Sequence, residues 1–146
     1  AVAAVKRLLL PLATVVTPNA PEAAVLSGLP VESPTQAREA ARIIASLGAG
    51  VVVVKGGHLP GERAVDLVYD GEAFHELPSD WVATRNTHGT GCTFSAAIAA
   101  YIARGLAPLP AVAAAKAFLT EALRNSYAIG EGHSPVNHFW RGIDRG

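Results

Sequence analysis

The residues with the clearest chemical potential lie in the run THGTGCT at positions 87–93, directly before an apolar stretch typical of a helix. Gly89 and Gly91 flank Thr90, and Cys92, the only cysteine of the chain, follows at once. A helix N-terminus has unpaired backbone N–H groups and a partial positive charge, and glycines let a phosphate approach those groups closely. A thiol at that position ionises more easily. The run therefore predicts an anion-binding turn beside a candidate base or nucleophile.

Less specific interpretations of this run stay open. It lacks the Gly-Lys-Ser/Thr of a Walker P-loop and the spacing of the dinucleotide fingerprint, so it could be a structural turn into a helix. Cys92 could be a small apolar core residue or an incidental surface thiol. It could also be the nucleophile of a Cys–His hydrolase with His88 or His133, although no protease signature surrounds it.

A second set of polar residues follows two apolar runs. Asn19 and Glu22 have the spacing of a capping box at the start of a short helix, and that could be their whole role. The Glu22 carboxylate could also orient waters around a Mg²⁺ that bridges phosphates. Lys55 ends the run GVVVVK at 50–55, where it is either a solvated strand end or a point charge for phosphoryl oxygens.

The elements that must position these residues alternate between strands and helices. Periodicity and turn residues predict strands over 13–17, 50–55, 64–69, 73–77 and 81–83, and helices over 2–9, 20–27, 34–47, 89–104 and 110–127. This order predicts an α/β layered domain with a largely parallel sheet, in which ligands gather at the carboxyl ends of the strands. Thr17, Lys55 and the loop 84–92 fall at such ends, which favours one shared phosphate site.

The composition limits the possible classes of protein. The chain has 146 residues, of which 50% are hydrophobic and 16% charged, with 12 basic and 12 acidic side chains. This balance suits one globular domain and gives no basic excess for a nucleic-acid partner. A single cysteine excludes an internal disulfide and fits the cytoplasm. The apolar run 8–16, interrupted by Pro11, is too short to span a membrane, so no membrane partner is expected.

Four segments, taken together and in order, resemble one family. They are 17–23 (TPNAPEA), 54–59 (VKGGHL), 86–93 (NTHGTGCT) and 132–138 (GHSPVNH). They resemble the C-terminal half of the hydroxymethylpyrimidine/phosphomethylpyrimidine kinases of thiamine biosynthesis, in the ribokinase-like superfamily. The resemblance covers essentially the whole chain, 1–146, as a single domain region. Cys92 favours this family over the pyridoxal kinases, which usually have Asp at the corresponding position.

The resemblance implies a three-layer α/β/α fold with a largely parallel sheet, and ATP- and Mg²⁺-dependent phosphorylation of hydroxymethylpyrimidine and then of its monophosphate. It assigns the anion hole to Gly89, Thr90 and Gly91, with the Cys92 amide, and the base that takes the substrate's proton to the Cys92 thiol. The expected contacts of the nucleotide and of its metal, the latter through water, are Lys55, Thr17, Asn19, Glu22, Gly57 and His88.

The resemblance also marks a departure from the family. Its members have a further N-terminal half, with much of the pyrimidine pocket, and the chain from Ala1 begins after it. A sheet without those strands has a bare edge, so we expect a homo-oligomer or a complex with a missing half. Two other functions stay open: a pyridoxal-type kinase of the same fold, and a non-catalytic nucleotide- or phosphate-binding fragment. Whether this chain is itself an enzyme is left open by its sequence.

Overall fold

The computed structural model describes residues 1–56 and 64–142, in two compact units, Ala1–Pro78 and Ser79–Gly146. The elements of the first unit are the helical turns Val2–Ala4 (α1), Val5–Leu9 and Leu10–Leu12, then β1 (Val15–Val16), α2 (Ala20–Ser27), α3 (Pro34–Ser46), β2 (Val51–Val54), β3 (Ala64–Tyr69) and β4 (Phe74–Ser79). The second unit contains α4 (Thr90–Ala103) and α5 (Pro108–Arg124). The single domain region expected over 1–146 stays a prediction.

The sheet of the first unit has the order β1-β2-β3-β4 within the described residues. β1 and β2 are parallel, with Val15 opposite Val51, whereas β2 and β3 are antiparallel, with Val53 opposite Val68. The α/β class is confirmed, but the largely parallel sheet is wrong, because the sheet is mixed. The connection from β2 to β3 is too short for the crossover that a parallel pair requires, so the chain turns back.

The core of the first unit explains why these segments fold as they do. All four valines of β2 are buried, as the uninterrupted apolar run predicts. One face of α3 is also buried, at Ala37, Ala40 and Ile44, and this helix packs against β2 and β3. Ser33 caps α3 by accepting from the Gln36 N–H at 3.3 Å. The Gln36 side chain accepts from the Glu32 N–H at 2.8 Å, so the reciprocal bond of a capping box does not form with the Ser33 N–H.

The second unit is built on the packing of α4 against α5. Phe94 and Ile98 of α4 and Val112 of α5 are buried. The strand predicted over 81–83 is wrong, because Trp81 is 67% exposed and the Thr84 N–H donates to the Val82 carbonyl at 2.9 Å. That tight turn diverts the backbone from any strand pairing. Across the described parts of both units, no helix has the length and apolar character to cross a membrane.

Candidate functional site

The parallel pairing of β1 and β2 determines where the first set of candidate residues lies. Thr17 directly follows β1 and Lys55 directly follows β2. Because the two strands are parallel, both residues lie at the carboxyl ends of the strands, on the same side of the sheet. Asn19 and Lys55 form a parallel bridge, and the Lys55 N–H donates to the Pro18 carbonyl at 2.9 Å. The structure therefore brings Thr17, Asn19 and Lys55 together at the carboxyl ends of the strands, as the sequence predicts.

The start of α2 contains the complete capping box. The Asn19 Oδ1 accepts from the Glu22 N–H at 2.8 Å, and the Glu22 Oε2 accepts from the Asn19 N–H at 2.7 Å. Such reciprocal bonds satisfy two of the N–H groups that a helix start leaves unpaired. The structural role of Asn19 and Glu22 is thus present, and any ligand role is additional to it.

Glu22 also faces the lysine at the end of β2. Lys55 Nζ lies 3.8 Å from Glu22 Oε2, with the side chains 24% and 56% exposed. The capping bond and the ion pair both use Oε2, so Oε1 can accept further donors such as metal-bound water. The cluster offers a cation and a carboxylate side by side, which is the pairing that a Mg²⁺–phosphate group requires.

The backbone after Lys55 is held by a residue that sequence reasoning missed. The Gly56 N–H donates to Asp66 Oδ1 at 2.9 Å, and Asp66 is only 4% exposed. A Cβ at Gly56 would stand 1.7 Å from the Val65 carbonyl oxygen, so no larger residue fits without a backbone shift. The signal for this contact was a lone acid within the apolar strand β3. Gly57, a predicted nucleotide contact, lies outside the described residues.

In the second unit, the predicted anion-binding turn forms the start of α4. Gly89 is the N-cap with a φ of 79°, a left-handed conformation that favours glycine, and no side chain caps the helix. The Thr90 N–H donates to the Thr87 carbonyl at 3.3 Å, so it is already engaged. The helix geometry leaves the N–H groups of Gly91 and Cys92 without an intrahelical acceptor. These two amides can donate to a ligand, and their role in binding an anion stays a prediction.

Cys92 is exposed at this helix start. Cys92 lines a groove of about 520 Å³ along α4, together with Ala96, Ala100 and Tyr101. The interpretation of Cys92 as an apolar core residue is therefore wrong. An accessible thiol next to unpaired backbone donors fits a base or nucleophile that meets a bound phosphate.

His88, His133 and His138 of the second unit form hydrogen bonds with other residues of that unit. The His138 Nε2 and the Thr93 Oγ1 are 2.8 Å apart, which ties the C-terminal tail to the first turn of α4. His133 Nδ1 lies 3.3 Å from the Arg85 carbonyl oxygen, and the His88 N–H donates to the Ser134 carbonyl at 3.2 Å. Within the ranges 1–56 and 64–142, no hydrogen bond joins a histidine to Cys92, so the hydrolase interpretation has no dyad to support it.

The metal-binding capacity of the described residues is small. Among them, no group of three or more His, Cys, Asp or Glu side chains could hold a metal ion. Mg²⁺ usually keeps several waters and takes one or two carboxylates together with substrate phosphates. The contact of Mg²⁺ with Glu22 and Asn19 through water stays a prediction.

The comparisons with known proteins point to one family. The family model described as Phosphomethylpyrimidine kinase matches residues 1–137. Hydroxymethylpyrimidine/phosphomethylpyrimidine kinase of Rhizobium meliloti is 50% identical over 145 residues, which cover 97% of this chain and 54% of that protein. Pyridoxine kinase of Bacillus subtilis is 44% identical over 137 residues, which cover 92% of this chain and 51% of that protein.

Solved structures give the same picture of the fold. The pyridoxal kinase of Staphylococcus aureus in complex with AMP-PCP and pyridoxal superposes with a TM-score of 0.92 at 42% identity, over 99% of this chain and 54% of that one. The chain therefore spans about half the length of the relatives that it matches.

Proposed function

We propose that this chain, which belongs to the phosphomethylpyrimidine kinase family, supplies the ATP- and phosphate-handling half of a kinase for hydroxymethylpyrimidine and its monophosphate. The observation that carries the proposal is the start of α4, where two unpaired backbone amides and an exposed thiol stand within three residues of the Gly89 N-cap. Phosphoryl transfer depends mainly on positioning and charge neutralisation, which is what such a turn provides.

The transfer step assigns a role to each part of this turn. The substrate hydroxyl oxygen attacks the γ-phosphorus, the bond to the β–γ bridging oxygen breaks, and ADP leaves. The amides of Gly91 and Cys92 donate to the oxygens of the transferring group, with Gly89 and Thr90 shaping the turn. The Cys92 sulfur accepts the hydroxyl proton, because the thiol is exposed beside the amides that hold the transferring group.

The strand-end cluster binds the rest of the nucleotide in this proposal. Lys55 neutralises phosphate oxygens, and Glu22, with Asn19 behind it, receives metal-bound water through its carboxylate. Mg²⁺, when bound, would neutralise the charge of the phosphates. Thr17, Gly57 and His88 are further proposed nucleotide contacts. The single exposed thiol suits a reducing compartment, and we place the protein in the cytoplasm on that ground.

A pyridoxal-type kinase is the second candidate. It is favoured by the 44% identity with the Bacillus subtilis pyridoxine kinase and by the superposition on a pyridoxal-bound kinase. Cys92 favours the pyrimidine substrate, because the pyridoxal kinases usually have Asp at the corresponding position. A non-catalytic nucleotide-binding fragment is the third candidate, favoured by the half-length match. A complex with a missing half, or a homo-oligomer, would supply the substrate pocket in either kinase.

Titration calorimetry with Mg-ATP tests the nucleotide role directly. We expect Lys55→Gln to weaken binding about tenfold or more, because a charge-assisted hydrogen bond contributes about 1.5–3 kcal/mol. Glu22→Gln keeps an oxygen acceptor for the Asn19 N–H and therefore keeps the cap, so we expect it to weaken binding only when Mg²⁺ is present. Turnover with hydroxymethylpyrimidine and with pyridoxal, compared side by side, then separates the three candidates.

The matched control for Glu22→Gln is Glu39→Gln on α3. Glu39 forms an exposed ion pair with Arg42 at 3.6 Å, and both side chains are 55% exposed. This control should leave nucleotide binding unchanged. If the affinity for Mg-ATP is also unchanged in Lys55→Gln and Glu22→Gln, Lys55 is only the end of a strand and Glu22 is only part of a helix cap. ATP binding without turnover of either substrate would favour the fragment.

A further inference from the structure

The start of α4 has no local side chain that holds its first turn. Gly89 is the N-cap, with a φ of 79° and no side-chain cap, and a glycine leaves the backbone more conformational freedom than any other residue. The Gly91 and Cys92 amides lie in this turn. An uncapped start at a glycine has to be ordered by contacts with other parts of the chain.

The C-terminal segment 134–138 contacts both sides of this turn. Before the turn, the His88 N–H donates to the Ser134 carbonyl at 3.2 Å. After it, His138 Nε2 lies at hydrogen-bond distance from Thr93 Oγ1, at 2.8 Å, and Thr93 is only 7% exposed. The segment therefore flanks the turn, and its second contact reaches the residue next to the cysteine.

The hydrogen bond of the Thr93 side chain departs from the usual pattern of a helix. Serine and threonine hydroxyls within helices commonly donate to the carbonyl four residues earlier. Thr120 of α5 does so, since its Oγ1 donates to the Lys116 carbonyl at 3.0 Å. The Thr93 hydroxyl instead bonds to His138, 45 positions along the chain. This bond therefore fixes the start of α4 relative to the tail.

The tail itself is anchored without the His138 ring. The Asn137 N–H donates to the Ala122 carbonyl at 3.0 Å, and the Asn137 Nδ2 donates to the Asn125 carbonyl at 3.1 Å, both at the C-terminal end of α5. Neighbouring residues thus hold the backbone that carries the His138 ring. Loss of the ring should release Thr93 and leave the tail in place.

We propose that His138 is a positioning residue for the transfer step. Through the Thr93 hydroxyl it holds the first turn of α4, and with it the Gly91 and Cys92 amides and the Cys92 sulfur, in the arrangement that receives the transferring group. A displacement of about 1 Å in a positioning group can cost about 10²-fold in rate. This inference rests on the proposed function for the identity of the group that the turn receives. The ordering of the turn by His138 can be measured without any ligand.

Nuclear magnetic resonance of the chain tests the ordering of the turn. We expect backbone order parameters of about 0.85 at the amides of 91–93 in the unsubstituted chain, and a fall below about 0.6 in His138→Ala and in Thr93→Val, while the Asn137 amide stays ordered. Thr93→Ser keeps the hydroxyl and should keep the order. Thr120→Val is the matched control, because it removes a hydroxyl that donates to a carbonyl of its own helix, and it should leave 91–93 unchanged.

Inorganic phosphate is the probe for the ligand role of the turn. Its titration should shift the Gly91 and Cys92 amide signals. His138→Ala and Thr93→Val should raise the midpoint of this titration about tenfold, because the amides are no longer held in their binding arrangement. Thr93→Ser and Thr120→Val should leave the midpoint unchanged.

The two readouts separate this inference from the proposed function. Unchanged order at 91–93 in His138→Ala would overturn the inference, and so would an unchanged phosphate midpoint in that variant. A loss of order in Thr93→Ser or in Thr120→Val equal to that in Thr93→Val would overturn it as well. If phosphate shifts neither amide in the unsubstituted chain, while His138→Ala still loses order at 91–93, the result supports the ordering role of His138 and counts against the proposed function.

Discussion

Replacing Asp66 tests how the end of β2 is held beside the candidate site. Its carboxylate accepts from the Gly56 N–H at 2.9 Å, and it is 4% exposed. A hydrogen bond to a charged group contributes about 1.5–3 kcal/mol, and a buried donor left without its partner costs about 1–3 kcal/mol. We expect Asp66→Ala to lower the free energy of unfolding by about 2–4 kcal/mol. Asp66→Asn keeps an oxygen acceptor and should cost about 1 kcal/mol.

Urea unfolding followed by circular dichroism measures this loss, and Mg-ATP titration measures its effect on Lys55. Because Gly56 follows Lys55 directly, a loosened Gly56 backbone should let Lys55 leave its bridge with Asn19, and nucleotide affinity should fall several-fold in Asp66→Ala. The control is Asp80→Ala, whose carboxylate is 75% exposed in an ion pair with Arg124. Exposed pairs contribute about 1 kcal/mol or less.

The same contact can be approached from the glycine. At Gly56 a Cβ would stand 1.7 Å from the Val65 carbonyl oxygen, so Gly56→Ala forces β2 and β3 apart at this point. We expect a loss of about 3 kcal/mol, at the upper end of ordinary overpacking. If the free energies of unfolding of Asp66→Ala and Gly56→Ala both lie within about 0.5 kcal/mol of that of the unsubstituted chain, the range of a surface substitution, the contact between Asp66 and Gly56 does not hold the end of β2.

Three further predictions concern other parts of the chain. Cys92→Ala should lower turnover about 10²–10⁴-fold, the contribution of a general base, with little change in ATP affinity; near-normal turnover would remove the thiol from that role. Gly89→Ala should cost about 1 kcal/mol in urea unfolding, and Gly89→Asn less, because the position has a left-handed φ of 79° with open space around it; equal costs would contradict this. Hydrogen bonds from the Ala73 N–H, from His75 and from the Glu72 N–H lower the pKa of Asp70 from 3.8 to about 2. The ionised form therefore favours the fold above about pH 4 and loses this advantage as the pH falls through about 2, so the Tm difference between the unsubstituted chain and Asp70→Ala should vanish there.

Much of the local structure could be predicted because neighbouring residues determine it. The capping box at Asn19 and Glu22, the burial of β2 and the two strands on either side of 70–73 all depend on residues within a few positions of one another. Sheet direction and pairing depend on distant segments. The predictions of a largely parallel sheet and of a strand at 81–83 were wrong for that reason, since a local apolar run does not reveal whether a partner strand lies alongside.

The candidate site divides in the same way. The residue types at 17–22, at Lys55 and at 87–93 were visible as short motifs. The structure confirms that a helix begins within 17–22 and another within 87–93. The contacts of Asp66 with Gly56 and of Thr93 with His138 join residues 10 and 45 positions apart. No short motif predicts such a contact, because each of the two residues is compatible with many other partners.

Glu22 shows why a helix cap and a ligand role reinforce each other. The capping bond fixes one carboxylate oxygen at 2.7 Å from the Asn19 N–H, and the side chain that carries the second oxygen is 56% exposed. A carboxylate whose rotamer is already fixed loses less entropy when it orders metal-bound water. Asn19→Ala keeps the backbone N–H that donates to Glu22 but removes the Oδ1 that accepts from the Glu22 N–H at 2.8 Å. The helix start that positions Glu22 should loosen, and Mg-ATP binding should weaken although Asn19 need not touch the nucleotide. If Asn19→Ala lowers helix stability and leaves Mg-ATP affinity unchanged, the cap and the ligand role are independent, and the carboxylate is not oriented by the helix start.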